Sequence, residues 1–103
     1  RADYEQAVVT FRQTLYQALT DVDNALSARL RYEEQAAQLE QSLADARRAE
    51  QLYEVRYRAG AVALKPWLDA QERRRSAETA LAENRLNRLS NHATLFQALG
   101  GGL

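Results

Sequence analysis

At 103 residues the chain has room for at most one domain. It contains no cysteine, so neither a disulfide framework nor a thiolate metal site can be built from it. Fourteen basic residues balance fourteen acidic ones, which argues against a dedicated nucleic-acid or anionic-membrane surface.

The opening run Arg1-Ala2-Asp3-Tyr4-Glu5 enters helical sequence directly, with no signal-peptide pattern. A start without Met, already in helical periodicity, gives the expectation of a piece cut from something longer. Apolar runs are too short to build a transmembrane helix. The residue mix is rich in Ala, Leu, Glu, Gln and Arg, with one Pro and four Gly, as in long helices.

The first element is expected over residues 3–59. An alternating three-four spacing runs through Val8, Phe11, Leu15, Ala18, Val22, Ala25, Arg29, Tyr32, Ala36, Leu39, Leu43, Ala46, Glu50, Tyr53 and Tyr57. This is a coiled-coil seam, interrupted only by Arg29 and Glu50. A second apolar line, Leu19, Leu26 and Leu30, widens the stripe in the N-terminal half and calls for a further neighbour there. Glu50 and Glu54 are spaced for i,i+3 or i,i+4 pairs with Arg47 and Arg58.

A tip turn is expected over 60–65. Gly60 can close a helix C-terminus in the left-handed conformation, and Pro66 suits the first turn of the next helix. The second helix is expected over 66–99, followed by a glycine-rich end at 100–103. It carries two apolar lines. One is Trp67, Ala70, Arg74, Ala77, Leu81, Arg88, Leu95 and Leu99, with polar interruptions; the other is Ala82, Leu86, Leu89, Ala93 and Phe96. Arg73-Arg74-Arg75 spreads around one turn, so it is no one-sided basic patch. The expected fold is all-α: a long antiparallel helical hairpin of coiled-coil type. The second helix is too short to cover the N-terminal part of the first, where the stripe is widest.

No catalytic or cofactor chemistry stands out. The one histidine, His92, has no second His or Cys to complete a metal set. No carboxylate pair sits in an apolar setting that would shift its pKa. The terminal glycines follow a helix instead of preceding one, so they form no phosphate cradle. No enzyme activity, no cofactor, no metal site and no nucleic-acid partner are expected.

Three motifs in order carry a resemblance. Arg56-Tyr57-Arg58-Ala59-Gly60 with Trp67-Leu68-Asp69-Ala70-Gln71 resembles the periplasmic tip of the TolC-like outer membrane efflux proteins. Leu95-Phe96-Gln97-Ala98-Leu99-Gly100-Gly101-Gly102 is similar to that family's glycine-rich close. Ala18-Leu19-Thr20-Asp21-Val22-Asp23-Asn24-Ala25-Leu26 resembles an upstream segment, with Asp21 where Glu is usual. The resemblance covers nearly the whole chain. It implies the helical part of the second repeat of a longer protomer, within a homotrimeric channel of outer-membrane β-barrel and periplasmic α-helical barrel.

The implied function is a passive exit duct in a tripartite efflux system for drugs, metal ions or other toxic solutes. A periplasmic adaptor (membrane fusion) protein is the implied direct partner, and an inner-membrane pump an indirect one. By the same resemblance Ala59, Gly60 and Ala61 meet the adaptor, Tyr57 joins the links that hold the entrance shut, and Asp69 contributes to a ring of carboxylates at the pore constriction. Two positions depart from the family: Pro66 and Val62 stand where some members carry an acid and a base. The gate charges are then either weaker or supplied by the first repeat.

Plainer roles stand beside these. Gly60 also reads as a helix C-cap, Tyr57 as a continuation of the seam, Trp67 as a packing anchor, and Asp69 as a first-turn residue favoured by the helix N-terminus. The alternative for the whole chain is a free-standing coiled-coil scaffold whose hairpin binds another helix. The isolated channel segment is expected to be weakly stable or to self-associate through Leu19, Leu26 and Leu30, and the scaffold to be a monodisperse, cooperatively folded hairpin.

Overall fold

The computed structural model describes residues 1–101. Gly102 and Leu103, within the expected glycine-rich end, lie outside the described residues. Helix α1 runs Ala2–Arg58, helix α2 runs Leu64–Phe96, and a short π-helical turn, Gln97–Gly101, follows α2. Among the described residues there is no strand, and the fold is the all-α helical hairpin that the periodicity implies.

Helix α1 holds neither Gly nor Pro across its 57 residues. Its charges agree with the helix dipole: Asp3 and Glu5 lie in the first turn, Arg56 and Arg58 in the last. Local pairs add support along it: Gln17 donates to Asp21 at 2.8 Å, Gln41 to Asp45 at 3.0 Å, and Arg58 to Glu54 at 3.1 Å. Each such pair is worth about 0.2–0.5 kcal/mol. At the far end of α2, Gly100 takes φ 108°, which breaks the helical path.

The two helices contribute to two compact units. One comprises residues 32–87; the other joins residues 1–31 to the described chain over 88–101. In the 32–87 unit, Ala36, Leu43, Ala70, Leu81 and Asn84 are buried, and Leu39, Ala46, Glu50, Tyr53, Trp67, Arg74 and Ala77 are half-buried. These positions are the a/d seams of both helices. The pairing within this unit is antiparallel, since Tyr57 meets Trp67, Glu50 meets Arg74, and Tyr32 meets Asn84.

The seam of this unit is polar at two levels. Arg74 Nε donates to Glu50 Oε2 across the hairpin at 2.5 Å, and its Nη1 donates to Glu78 on its own helix at 3.0 Å. Arg47 of α1 approaches Glu78 at 3.9 Å. The hydrogen bonds with Glu78 and then Glu50 push the Arg74 guanidinium above its already high pKa, so it stays charged. Asn84, only 2% exposed, donates both amide hydrogens across the seam, to the Tyr32 carbonyl at 3.1 Å and to Gln35 Oε1 at 2.9 Å. Glu50, expected to pair along its own helix, instead binds the arginine that interrupts the opposite seam.

In the other unit, Ala25 and Leu95 are buried, while Val8, Val22, Ala28, Arg88, Asn91 and Ala98 are half-buried. Asn91 Nδ2 donates to the Ala25 carbonyl at 3.1 Å. Three inward positions differ from the sequence reading. Ala28 turns inward where Arg29 was expected, since a methyl group is buried without the desolvation cost of a guanidinium. Ala98 is half-buried where Leu99 was expected, and Asn91 joins the seam. Phe11, Leu15, Leu19, Leu26 and Leu30 of α1 stay exposed, as do Leu86, Leu89 and Phe96 of α2.

Replacing Asn84 tests the polar seam. Asn84→Ala removes both hydrogen bonds across the seam, each worth about 0.5–1.5 kcal/mol, and should cost about 1–3 kcal/mol in all. It should appear as a lower urea midpoint at unchanged slope. Asn84→Asp should be worse than Asn84→Ala, because a carboxylate would face two acceptors.

Candidate functional site

The turn between the helices, residues 59–63, is closed by backbone hydrogen bonds. Gly60 N–H donates to the Tyr57 carbonyl at 3.0 Å, and Ala61 N–H donates to the Arg56 carbonyl at 2.8 Å. These are the two bonds of a Schellman motif with Gly60 in the left-handed position, at φ 75°. A Cβ built on Gly60 would meet no atom within 4 Å. The demand for glycine here therefore comes from backbone conformation, and the space around it is open.

Ala59, Gly60, Ala61 and Ala63 are exposed and carry no more than a methyl group; Val62 is half-buried. Helix α2 begins at Leu64, so Pro66 is its third residue. There its missing N–H belongs to the first turn, where no intrahelical bond is lost. No acidic side chain lies in the first turn of α2. Asp69, the sixth residue, lies beyond the reach of the helix-terminus field, which fades within the first turn. The first-turn reading of Asp69 is thereby replaced: its Oδ2 pairs with Lys65 Nζ at 3.1 Å, on an exposed face.

Tyr57 is 38% exposed, and its ring lies against that of Trp67, with centroids 5.4 Å apart and planes tilted by 34°. The seam position expected for Tyr57 thus ends in an aromatic pair at the surface. Trp67 is half-buried, and its indole N–H is enclosed without a hydrogen-bond partner. The hairpin brings Tyr57, Gly60 and Trp67 together at one end, with the Lys65–Asp69 pair on the opening turns of α2. The i,i+4 spacing of Lys65 and Asp69 made their pairing readable in advance. The Tyr57–Trp67 contact across the turn had no such local signal.

His92 is exposed on α2. Among the described residues no group of three or more His, Asp or Glu side chains converges as a metal site would. Nor is any helix among them long and apolar enough to cross a membrane.

Residues 1–101 match the family described as outer membrane efflux protein. The chain belongs to the outer membrane efflux protein family. It is 36% identical over 101 residues to the pyoverdine export outer membrane protein OpmQ of Pseudomonas putida, covering 98% of this chain and 22% of that protein. It is 38% identical over 96 residues to the probable efflux pump outer membrane protein TtgC of Pseudomonas putida, covering 92% of this chain and 20% of that protein. The OpmQ protein of Pseudomonas aeruginosa is 34% identical over 101 residues, covering 98% of this chain and 21% of that protein. The chain thus spans about a fifth of the length of these curated relatives. No solved structure matches it at comparable significance. The TolC-like resemblance carried by the tip and glycine-rich motifs is the family found by comparison.

The conformation of Gly60 sets a stability expectation for this efflux-family tip. Gly60→Ala should cost about 1–2 kcal/mol, the penalty for an L side chain in the left-handed region. Gly60→Asn should cost less, since Asn tolerates that region better. Thermal melts of the two variants beside the parent chain would show the order.

Proposed function

We propose that this hairpin is the periplasmic helical segment of an outer membrane efflux channel. It acts as part of a passive exit duct, without enzyme activity, in a tripartite system that exports drugs, metal ions or other toxic solutes. The channel is a homotrimer, with a periplasmic adaptor bound at the tip and an inner-membrane pump behind the adaptor. The observation that carries this reading is the tip itself, in a chain of the efflux family. A glycine-closed turn of methyl-sized residues, free of charge at Ala59, Gly60 and Ala61, lets another helix come close.

In this reading Tyr57 takes part in closing the entrance, and Asp69 contributes a carboxylate at the constriction. Three copies of Asp69 around one axis would favour cations. Lys65 opposes that preference, because it pairs with Asp69 at 3.1 Å. The named relatives are a pyoverdine export outer membrane protein and a probable efflux pump outer membrane protein, which supports an efflux role.

The test places the substitutions in the full-length channel, in a cell lacking its own outer membrane efflux component. Gly60→Asn keeps the turn geometry and adds bulk where the adaptor is proposed to approach. It should assemble as a trimer yet lose drug or metal resistance. Full resistance with normal assembly would remove the adaptor contact from Gly60. In single-channel recordings Asp69→Ala should lower cation preference and Lys65→Gln should raise it; selectivity unchanged in both would take Asp69 out of the pore.

A further inference from the structure

Trp67 is the chain's only tryptophan, and it meets the one tip side chain to which a closing role is attached. We propose that Trp67 is a positioning residue for Tyr57: the two rings form an aromatic clasp that holds the last turn of α1 against the first turn of α2. The inference rests on the reading of Tyr57 as a closing contact.

Three observations support the clasp. The centroid separation of 5.4 Å and the 34° tilt fall within the range where aromatic pairs attract beyond simple burial. Trp67 is half-buried although its helix neighbours Leu64 and Leu68 are exposed, so the indole is the side chain that α2 turns toward the turn and α1. Its enclosed N–H has no acceptor, so no hydrogen bond holds the indole there. The ring contact with Tyr57 joins the indole to α1.

In the turn, Ala59, Ala61 and Ala63 contribute only methyl groups and Val62 is half-buried, while the two Schellman bonds use backbone atoms alone. The carbonyl of Tyr57 is tied to Gly60 while its ring is tied to Trp67. Moving the end of α1 away from the start of α2 must separate the rings. Tyr57 is thereby released or held according to the state of Trp67.

A lone tryptophan makes the clasp directly readable. In the chain as it stands, Tyr57→Ala should shift Trp67 emission to longer wavelength and increase its quenching by acrylamide. Tyr57→Phe, which keeps a ring, should leave both as they are. Emission and quenching unchanged in Tyr57→Ala would overturn the clasp. In the assembled full-length channel, Tyr57→Ala should raise the closed-state conductance, and Trp67→Ala should raise it in the same way. Trp67→Phe should restore closure, since the indole N–H has no partner to lose. Leu68→Ala, at the exposed neighbour, should leave conductance unchanged. A leaky Tyr57→Ala beside a tight Trp67→Ala would overturn the positioning role alone. A tight Tyr57→Ala would overturn the closing role of Tyr57, and the role of Trp67 with it.

Discussion

The hairpin depends on how its two seams are aligned, and in the 32–87 unit that alignment is fixed by polar groups. Apolar burial is thin: of the buried apolar residues in the described chain, Ala25, Ala36 and Ala70 are alanines, beside Leu43, Leu81 and Leu95. A buried leucine is worth about 1.5–3 kcal/mol, an alanine much less. Alanine lets backbones approach but distinguishes poorly between one alignment and the next, because a slip of one heptad puts similar small residues opposite each other. Arg74 between Glu50 and Glu78, and Asn84 between Tyr32 and Gln35, do distinguish. Shifted by a heptad, the guanidinium and the Glu50 carboxylate would face apolar neighbours without their partners. The cost of leaving a desolvated charge or amide unpaired exceeds what the pair contributes when made. A polar position inside an otherwise apolar seam is a known way of specifying register at some cost in stability.

The geometry of the tip follows from that alignment. Glu50 lies two helical turns before Tyr57, and Arg74 two turns after Trp67, so the pairing that joins the charges also brings the rings together. With the seams so aligned, residues 59–63 are left to reverse the chain. A reversal that short, begun from a helix, needs a residue in the left-handed region just past the last helical turn. Gly60 supplies it, and the two Schellman bonds satisfy carbonyls that the end of α1 would otherwise leave open. Apart from Val62, no residue of the turn carries more than a methyl group. The small, open surface at Ala59, Gly60 and Ala61 is a consequence of how the helices are joined as much as a feature suited to a partner.

The sequence made the helices, the turn and the family legible, because periodicity, the lone Gly–Pro punctuation and the ordered motifs are local signals. It did not make register legible. Glu50 and Arg74 were both visible as breaks in their own seams, yet that they are each other's partners depends on alignment across 24 residues. Asn84 and Asn91 escaped for a related reason. A scan for apolar side chains passes over amides, although their spacing from Leu81 and Arg88 keeps the three-four rhythm. Arg29 failed oppositely: it kept the rhythm, but Ala28 beside it could turn inward without desolvating a charge. At the tip, the aromatic pair joins residues from different helices and was invisible for the same reason as the Glu50–Arg74 bond.

Charge at the tip is a matter of subtraction. Pro66 and Val62 stand where the resemblance would place an acid and a base, and both side chains are half-buried and apolar. What remains on the first turns of α2 is Lys65 with Asp69, an exposed pair whose charges cancel. An exposed i,i+4 pair contributes only about 0.3–0.5 kcal/mol, so it orders little by itself. In the proposed channel, each protomer would therefore bring to the entrance a carboxylate already matched by its own lysine. Closure by long-range charge is weakened by that pairing, and closure by contact gains importance in proportion. The two features of this tip that could act at contact range in that channel are the open space around Gly60 and the ring pair of Tyr57 and Trp67, which joins the helices on either side of the turn.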